Sequence, residues 1–84
     1  MNDTMSEKIF SEVNAFLRNK GYIGDIDEKT NLFTEIGMDS ITFVSMVIEL
    51  ERKFDVVIPD EYLNMEKFLN AEEISKLLIS LKLR

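Results

Sequence analysis

The stretch Gly37-Met38-Asp39-Ser40-Ile41 places a serine hydroxyl at the head of a strongly apolar segment, in a chain with no histidine and no cysteine. Without an imidazole base or a thiol, Ser40 lacks the partners that make a serine a conventional nucleophile. What remains open to it is to accept a group installed by something else, or to serve only at a helix start. Asp39 and Ser40 fall where the first backbone N–H groups of a helix are unpaired and its macrodipole is positive. A phosphate or phosphodiester on the Ser40 oxygen would meet both donors and field there. On the dipeptide alone the simpler reading is that Asp39 is the N-cap and Ser40 an ordinary first-turn residue. An autonomous enzyme is disfavoured, because no base–nucleophile pair, metal cluster or phosphate-binding glycine loop is present.

The elements that must hold this serine are readable from periodicity. Thr4-Met5-Ser6-Glu7 is a capping-box pattern with Thr4 as cap, and Met5, Ile9, Val13, Phe16 and Leu17 recur at helical spacing. That predicts a first helix over about 5–19, with Gly21 as its stop. Residues 21–38 show no sustained period. Ile23, Ile26, Leu32, Phe33 and Ile36 supply packing groups, so an ordered loop is expected. Asp25-Ile26-Asp27 has the start of a calcium loop, but Thr30 and Ile36 stand where that template needs glycine and glutamate, so it is rejected.

The second helix is expected from Ser40 to Phe54 with Asp39 as N-cap. Phe43, Val47, Leu50 and Phe54, with Met46 beside them, follow one face; Ile41, Val44 and Ile48 follow another. The second stripe is either buried against the loop or offered to partners. Asp55-Val56-Val57-Ile58-Pro59 reads as an extended connector, since Pro59 drives Ile58 out of the helical region. Pro59 then opens a short helical turn, Asp60 to Leu63. Asn70-Ala71-Glu72-Glu73 is a capping-box-like start, and Ile74, Leu77, Leu78 and Leu81 continue as the last helix, with Lys82 and Arg84 complementing its dipole. A basic end on an amphipathic helix can signal membrane contact, but packing is the expected role of this one.

Composition sets the outer limits. The chain has 84 residues, 45% of them hydrophobic and 31% charged, which suits one globular domain spanning 1–84 and is too short for two. With no cysteine or histidine, its core must rest on packing alone. No apolar run approaches the roughly 18 residues that span a bilayer. Met1-Asn2-Asp3-Thr4 lacks the basic and apolar regions of a signal peptide, so a cytoplasmic location with no membrane contact is expected. A net charge of −6 argues against nucleic acid. Residues 25–66 hold eleven acids against three bases, so the acid lies around and after Ser40. That charge either keeps a small domain in solution or steers a basic partner surface.

Taken together, Leu32, Gly37-Met38-Asp39-Ser40-Ile41, Glu49-Leu50-Glu51-Arg52-Lys53-Phe54-Asp55 and Ile58-Pro59-Asp60-Glu61 resemble the acyl carrier protein family. The order of elements matches as well. The resemblance implies an all-α four-helix bundle, with three longer helices, one short helix and a long first loop. It also implies that Ser40 of the Asp39-Ser40 motif receives 4′-phosphopantetheine from coenzyme A through a separate phosphopantetheinyl transferase, the arm's thiol then holding cargo as a thioester. The chain would be a non-catalytic carrier and a monomer, with the reactive sulfur arriving on the prosthetic group. Its partners beyond the transferase would be an acyl- or aminoacyl-loading ligase and downstream synthase or transferase enzymes. The resemblance further assigns the second helix to recognition: Ile41, Val44 and Ile48 as apolar contacts to partner enzymes, with Glu49 and Glu51 as acidic ones.

The chain departs from the family pattern in one respect. Fatty-acid synthase carriers usually place acids two and five residues after the serine, where this chain has Thr42 and Ser45, and Arg52 and Lys53 replace acids common near the helix end. Gly-Met-Asp-Ser is also nearer acyl carriers than the Gly-Gly-Asp/His-Ser of peptidyl carriers. These features point to a stand-alone carrier of a specialised polyketide, peptide or modified-acyl pathway. A peptidyl or aminoacyl carrier loaded by an adenylating enzyme, and a fatty-acid synthase carrier, are the alternatives within the class. A non-covalent helical adaptor is the alternative outside it, although a pure adaptor has no need of Ser40.

Overall fold

A computed structural model describes residues 4–83. It contains helix α1 (Thr4–Asn19), helix α2 (Ser40–Phe54), a single 3-10 turn (Asp60–Tyr62) and helix α3 (Ala71–Lys82), with no strand among the described residues. The all-α expectation holds, and the short fourth helix reduces to that one 3-10 turn. Its end is set by Leu63, whose N–H donates to the Asp60 carbonyl at 3.0 Å. The Arg84 contribution to the α3 dipole and the N-terminal segment read for targeting involve residues outside those described. Thr4 is itself the first helical residue of α1 rather than a cap ahead of it.

Each helix end has an identifiable local cause. At the end of α1, Gly21 takes φ +95°, a left-handed conformation that costs a glycine nothing. The Gly21 N–H donates to Arg18 O and the Tyr22 N–H to Leu17 O, both at 3.0 Å, which is the paired bonding of a Schellman stop. The Asn70 side chain starts α3 by accepting the Glu73 N–H at 2.8 Å. α2 ends on Asp55, a non-glycine residue at φ 54°, whose N–H closes back on the Glu51 carbonyl.

The helices enclose one core, but they do not fill it alone. α1 packs on both other helices through Ile9, Val13 and Leu17, all fully buried. No Cα of α2 comes within 8 Å of a Cα of α3. The space between them is occupied from the connecting segments by Leu32, Met38, Ile58 and Phe68, all buried within the same cluster as Met46, Leu50, Ile74 and Leu78. Phe68 meets Phe43 of α2 edge-on with ring centroids 5.1 Å apart, and Phe33 reaches the same ring at 5.8 Å.

The long loop between α1 and α2 is ordered by its own polar groups. Asp27 Oδ1 accepts the Lys29 N–H at 2.9 Å and the Thr30 hydroxyl at 3.0 Å. Asn31 Oδ1 accepts the N–H groups of Phe33 and Thr34, and Glu35 returns a carboxylate oxygen to the Asn31 N–H at 3.0 Å. Two backbone bonds then fasten the loop to the approach of α3: Leu32 N–H to Leu69 O at 2.8 Å, and Glu72 N–H to Glu28 O at 3.0 Å.

These contacts make Phe68 a wall of the core supplied by a loop. Phe68→Ala should cost about 3–5 kcal/mol in denaturant unfolding, as for a buried helical aromatic. A loss below about 1 kcal/mol would show that the segment before α3 does not carry the core. Asn70→Ala, which removes only a cap, should cost about 1 kcal/mol in the same measurement.

Candidate functional site

The head of α2 is built from the buried residue behind it. Met38 is buried, and its N–H donates to the Leu32 carbonyl at 2.9 Å, so the chain is fixed to the core immediately before the helix begins. Gly37 takes φ +82°, which lets the chain turn out of the loop into that anchor. Asp39 follows in extended geometry (φ −93°, ψ 176°), and its Oδ1 accepts the Thr42 N–H at 2.8 Å. The first intrahelical bond runs from the Phe43 N–H to the Asp39 carbonyl at 2.9 Å. The Ser40 and Ile41 N–H groups precede that bond and lie at the positive end of the dipole.

Because Asp39 performs the capping, Ser40 is not needed for it. Ser40 is exposed, and its hydroxyl has no hydrogen-bond partner among the described residues. The backbone bond from Thr42, followed by the Thr42 hydroxyl, holds the Asp39 carboxyl below its ordinary range. The first residue of a firmly anchored helix thus presents a free hydroxyl to solvent. These residues fit a phosphodiester arm: the oxygen is accessible, the helix head favours an anion, and Asp39 has one carboxylate oxygen turned inward to its own cap. Three surface cavities, formed around α1 and α3, do not include Asp39 or Ser40 in their linings.

α2 shows two distinct faces. Met46, Val47 and Leu50 are buried, and Phe43 and Phe54 are half-buried against the core. Ile41, Val44 and Ile48 are 77%, 55% and 52% exposed, so the second stripe is not buried against the loop. Glu49 stands 3.9 Å from Arg52 across an exposed turn, a pairing of little energetic weight. Glu51 accepts the Ile58 N–H at 2.8 Å, which commits one of its oxygens to holding the connector after α2. The sequence carried no sign of that bond, seven residues apart. It also gave no warning of the Met38–Leu32 anchor, whose only signal is an apolar residue ahead of a polar dipeptide. Among the described residues no three acidic, histidine or cysteine side chains group as a metal site, and no helix is long and apolar enough to cross a membrane.

The Asp39 cap has a pH signature. A carboxyl held low in the folded state contributes stability that is present above its ordinary value of 3.8 and is lost as pH falls through the depressed one. Asp27, lowered first by the Lys29 N–H and then by the Thr30 hydroxyl, acts in the same direction. Stability should therefore fall on acidification from about pH 4 downward. Asp39→Asn, which keeps an acceptor but cannot titrate, should lessen that fall and give up at neutral pH the part of the stability that ionisation of Asp39 supplies. Identical acid profiles for the two proteins in circular-dichroism melts would contradict the assignment.

Comparison with known proteins agrees with this geometry. Residues 22–78 match the family model described as "Phosphopantetheine attachment site". The "Acyl carrier protein homolog" of Mycoplasmopsis pulmonis is 33% identical over 75 residues, covering 89% of this chain and 88% of the relative. The mitochondrial acyl carrier protein of Saccharomyces cerevisiae is 30% identical over 61 residues, or 70% of this chain. That alignment spans 49% of the yeast protein, so the chain matches about half its length. The attachment-site match and the acyl carrier relatives imply covalently attached 4′-phosphopantetheine. A helical bundle with an anchored Asp-Ser helix head, a match to the attachment-site model and these two relatives lead to one conclusion: the chain belongs to the acyl carrier protein family.

Proposed function

We propose that Ser40 is the attachment residue and that residues 1–84 act as one carrier domain, shuttling thioester-bound acyl intermediates between biosynthetic enzymes. The observation that carries this reading is the exposed, unpartnered Ser40 hydroxyl on a helix head already capped by Asp39. When bound, the arm supplies a terminal thiol that holds the acyl group. The chain's own residues do the rest. Met38 and Asp39 fix the direction of the α2 head, and the Ser40 and Ile41 N–H groups would offer donors to the charge of a phosphodiester. Ile41, Val44 and Ile48 form the surface that an enzyme must cover to reach Ser40. With neither histidine nor cysteine in the chain, the base and the transfer chemistry belong to those enzymes.

The names of the two relatives favour acyl over peptidyl cargo. Thr42 and Ser45, standing where fatty-acid synthase carriers usually have acids, favour a specialised pathway over housekeeping fatty-acid synthesis. An adenylating ligase remains the alternative loading route.

The attachment is tested by incubating the protein with a broad-specificity transferase and coenzyme A and weighing it intact. One phosphopantetheine should be gained, and none by Ser40→Ala, whose stability should stay within about 0.5 kcal/mol of the parent because Asp39 holds the cap. A gain that survives the substitution would place the arm elsewhere. Loading of the modified protein from malonyl-type donors would support the acyl reading. Loading only by adenylating enzymes would replace it.

A further inference from the structure

A cargo held at Ser40 has two surroundings open to it, the water around the helix head or the interior of the bundle. The way inward is crossed by aromatic rings. Phe43 follows Ser40 by three residues and packs against the core, about 4.5 Å further along the axis at 1.5 Å of rise per residue. Phe68, fully buried, meets it edge-on at 5.1 Å between centroids, and Phe33 closes on the same ring from the loop at 5.8 Å. The Phe43–Phe68 contact spans the seam between α2 and the approach to α3, where the two helices do not touch. Each ring sits on a held backbone. The Phe43 N–H donates to the Asp39 carbonyl at 2.9 Å, the Phe33 N–H to Asn31 Oδ1 at 2.9 Å, and the Phe68 N–H to the Asn64 carbonyl at 3.3 Å. In the same cluster Leu32, Met38, Met46 and Leu50 are each 5% exposed or less. The three surface cavities around α1 and α3 have none of these rings in their linings.

We infer that cargo on Ser40 is carried outside the bundle, with Phe43 closing the interior to it, and that the site is suited to short or polar acyl groups rather than long alkyl chains. This rests on the attachment reading of Ser40. An alkyl chain entering the seam must overpack an interior already filled by side chains, or push a ring out of it. Moving a ring gives up its aromatic contacts and exposes its surface, which offsets what burying the chain gains. A polar acyl group entering this apolar cluster would leave its hydrogen bonds with water unreplaced. Outside, the cost falls on the cargo and grows with its apolar area. Short acyl groups, or those bearing keto, hydroxyl or carboxylate oxygens, stay in water at little cost. A long chain would stay exposed until an enzyme took it up. Phe43 is thus a specificity-determining residue that acts by denying shelter.

The experiment loads the full chain with a broad-specificity phosphopantetheinyl transferase and acetyl-, hexanoyl- or dodecanoyl-coenzyme A, each product confirmed by intact mass. Thermal melts and retention on a hydrophobic-interaction column are then compared. The melting temperatures of the three forms should agree within about 2 °C, and retention should rise steadily from acetyl to dodecanoyl. With Phe43→Ala the dodecanoyl form should melt about 4 °C or more above its acetyl form, and the rise in retention should shrink. A dodecanoyl form of the unsubstituted chain that melts about 4 °C above the acetyl form, with equal retention, would overturn the inference and leave the attachment reading intact. A folded Phe43→Ala protein that behaves like its parent at every length would overturn the role given to Phe43. Failure of the unsubstituted chain to gain any mass would overturn the attachment reading first, and this inference with it.

Discussion

The structure depends on the way α2 begins. One carboxylate, Asp39, accepts the Thr42 N–H, and one buried side chain, Met38, ties the preceding backbone to Leu32. The proposed attachment at Ser40 relies on this division of labour between adjacent residues. If Ser40 were the cap, its oxygen would be spent inside the protein and its modification would cost the helix its start. With Asp39 in that role, Ser40 is held in place by the helix without being required by it.

The same constraint explains why connecting segments matter so much in this fold. α2 does not lean on α3, so its position is set by α1 and by loop side chains wedged between the helices. Leu32, Ile58 and Phe68 come from three different connectors and meet in one cluster. The Leu32–Leu69 and Glu28–Glu72 backbone bonds join the loop before α2 to the start of α3. A disturbance of those ties would shift the helix head and the serine on it, because the anchor residue Leu32 serves both the core and Met38.

Much of this was legible in the residues, where the causes are local. Gly21 as a stop, Asp39 and Asn70 as caps, and the span of α2 follow from short patterns, and the structure forms each of them through the expected backbone groups. The two stripes of α2 were legible too, but not which of them faces solvent. Burial of Ile41, Val44 and Ile48 depended on where the loop runs, which is a tertiary fact. Phe68 carried no sign of its importance, because its segment has no period and its partners are distant in sequence. Asp55 at positive φ likewise stands where a glycine or asparagine would have announced the turn. For the site itself, the motif pointed to Ser40; the freedom of its hydroxyl required the geometry of its neighbour.

The arm is proposed to sit on Ser40 and on no other hydroxyl of α2 or its loop. Tryptic cleavage after Lys29 and Arg52 releases one peptide, Thr30 to Arg52, holding Thr30, Thr34, Ser40, Thr42 and Ser45 together. Tandem mass spectrometry of that peptide from transferase-treated protein should place the phosphopantetheine on Ser40 alone. Fragment ions that place it on Thr42, Ser45 or a loop threonine, or an unmodified peptide beside a modified one from elsewhere in the chain, would rule out Ser40 as the attachment residue.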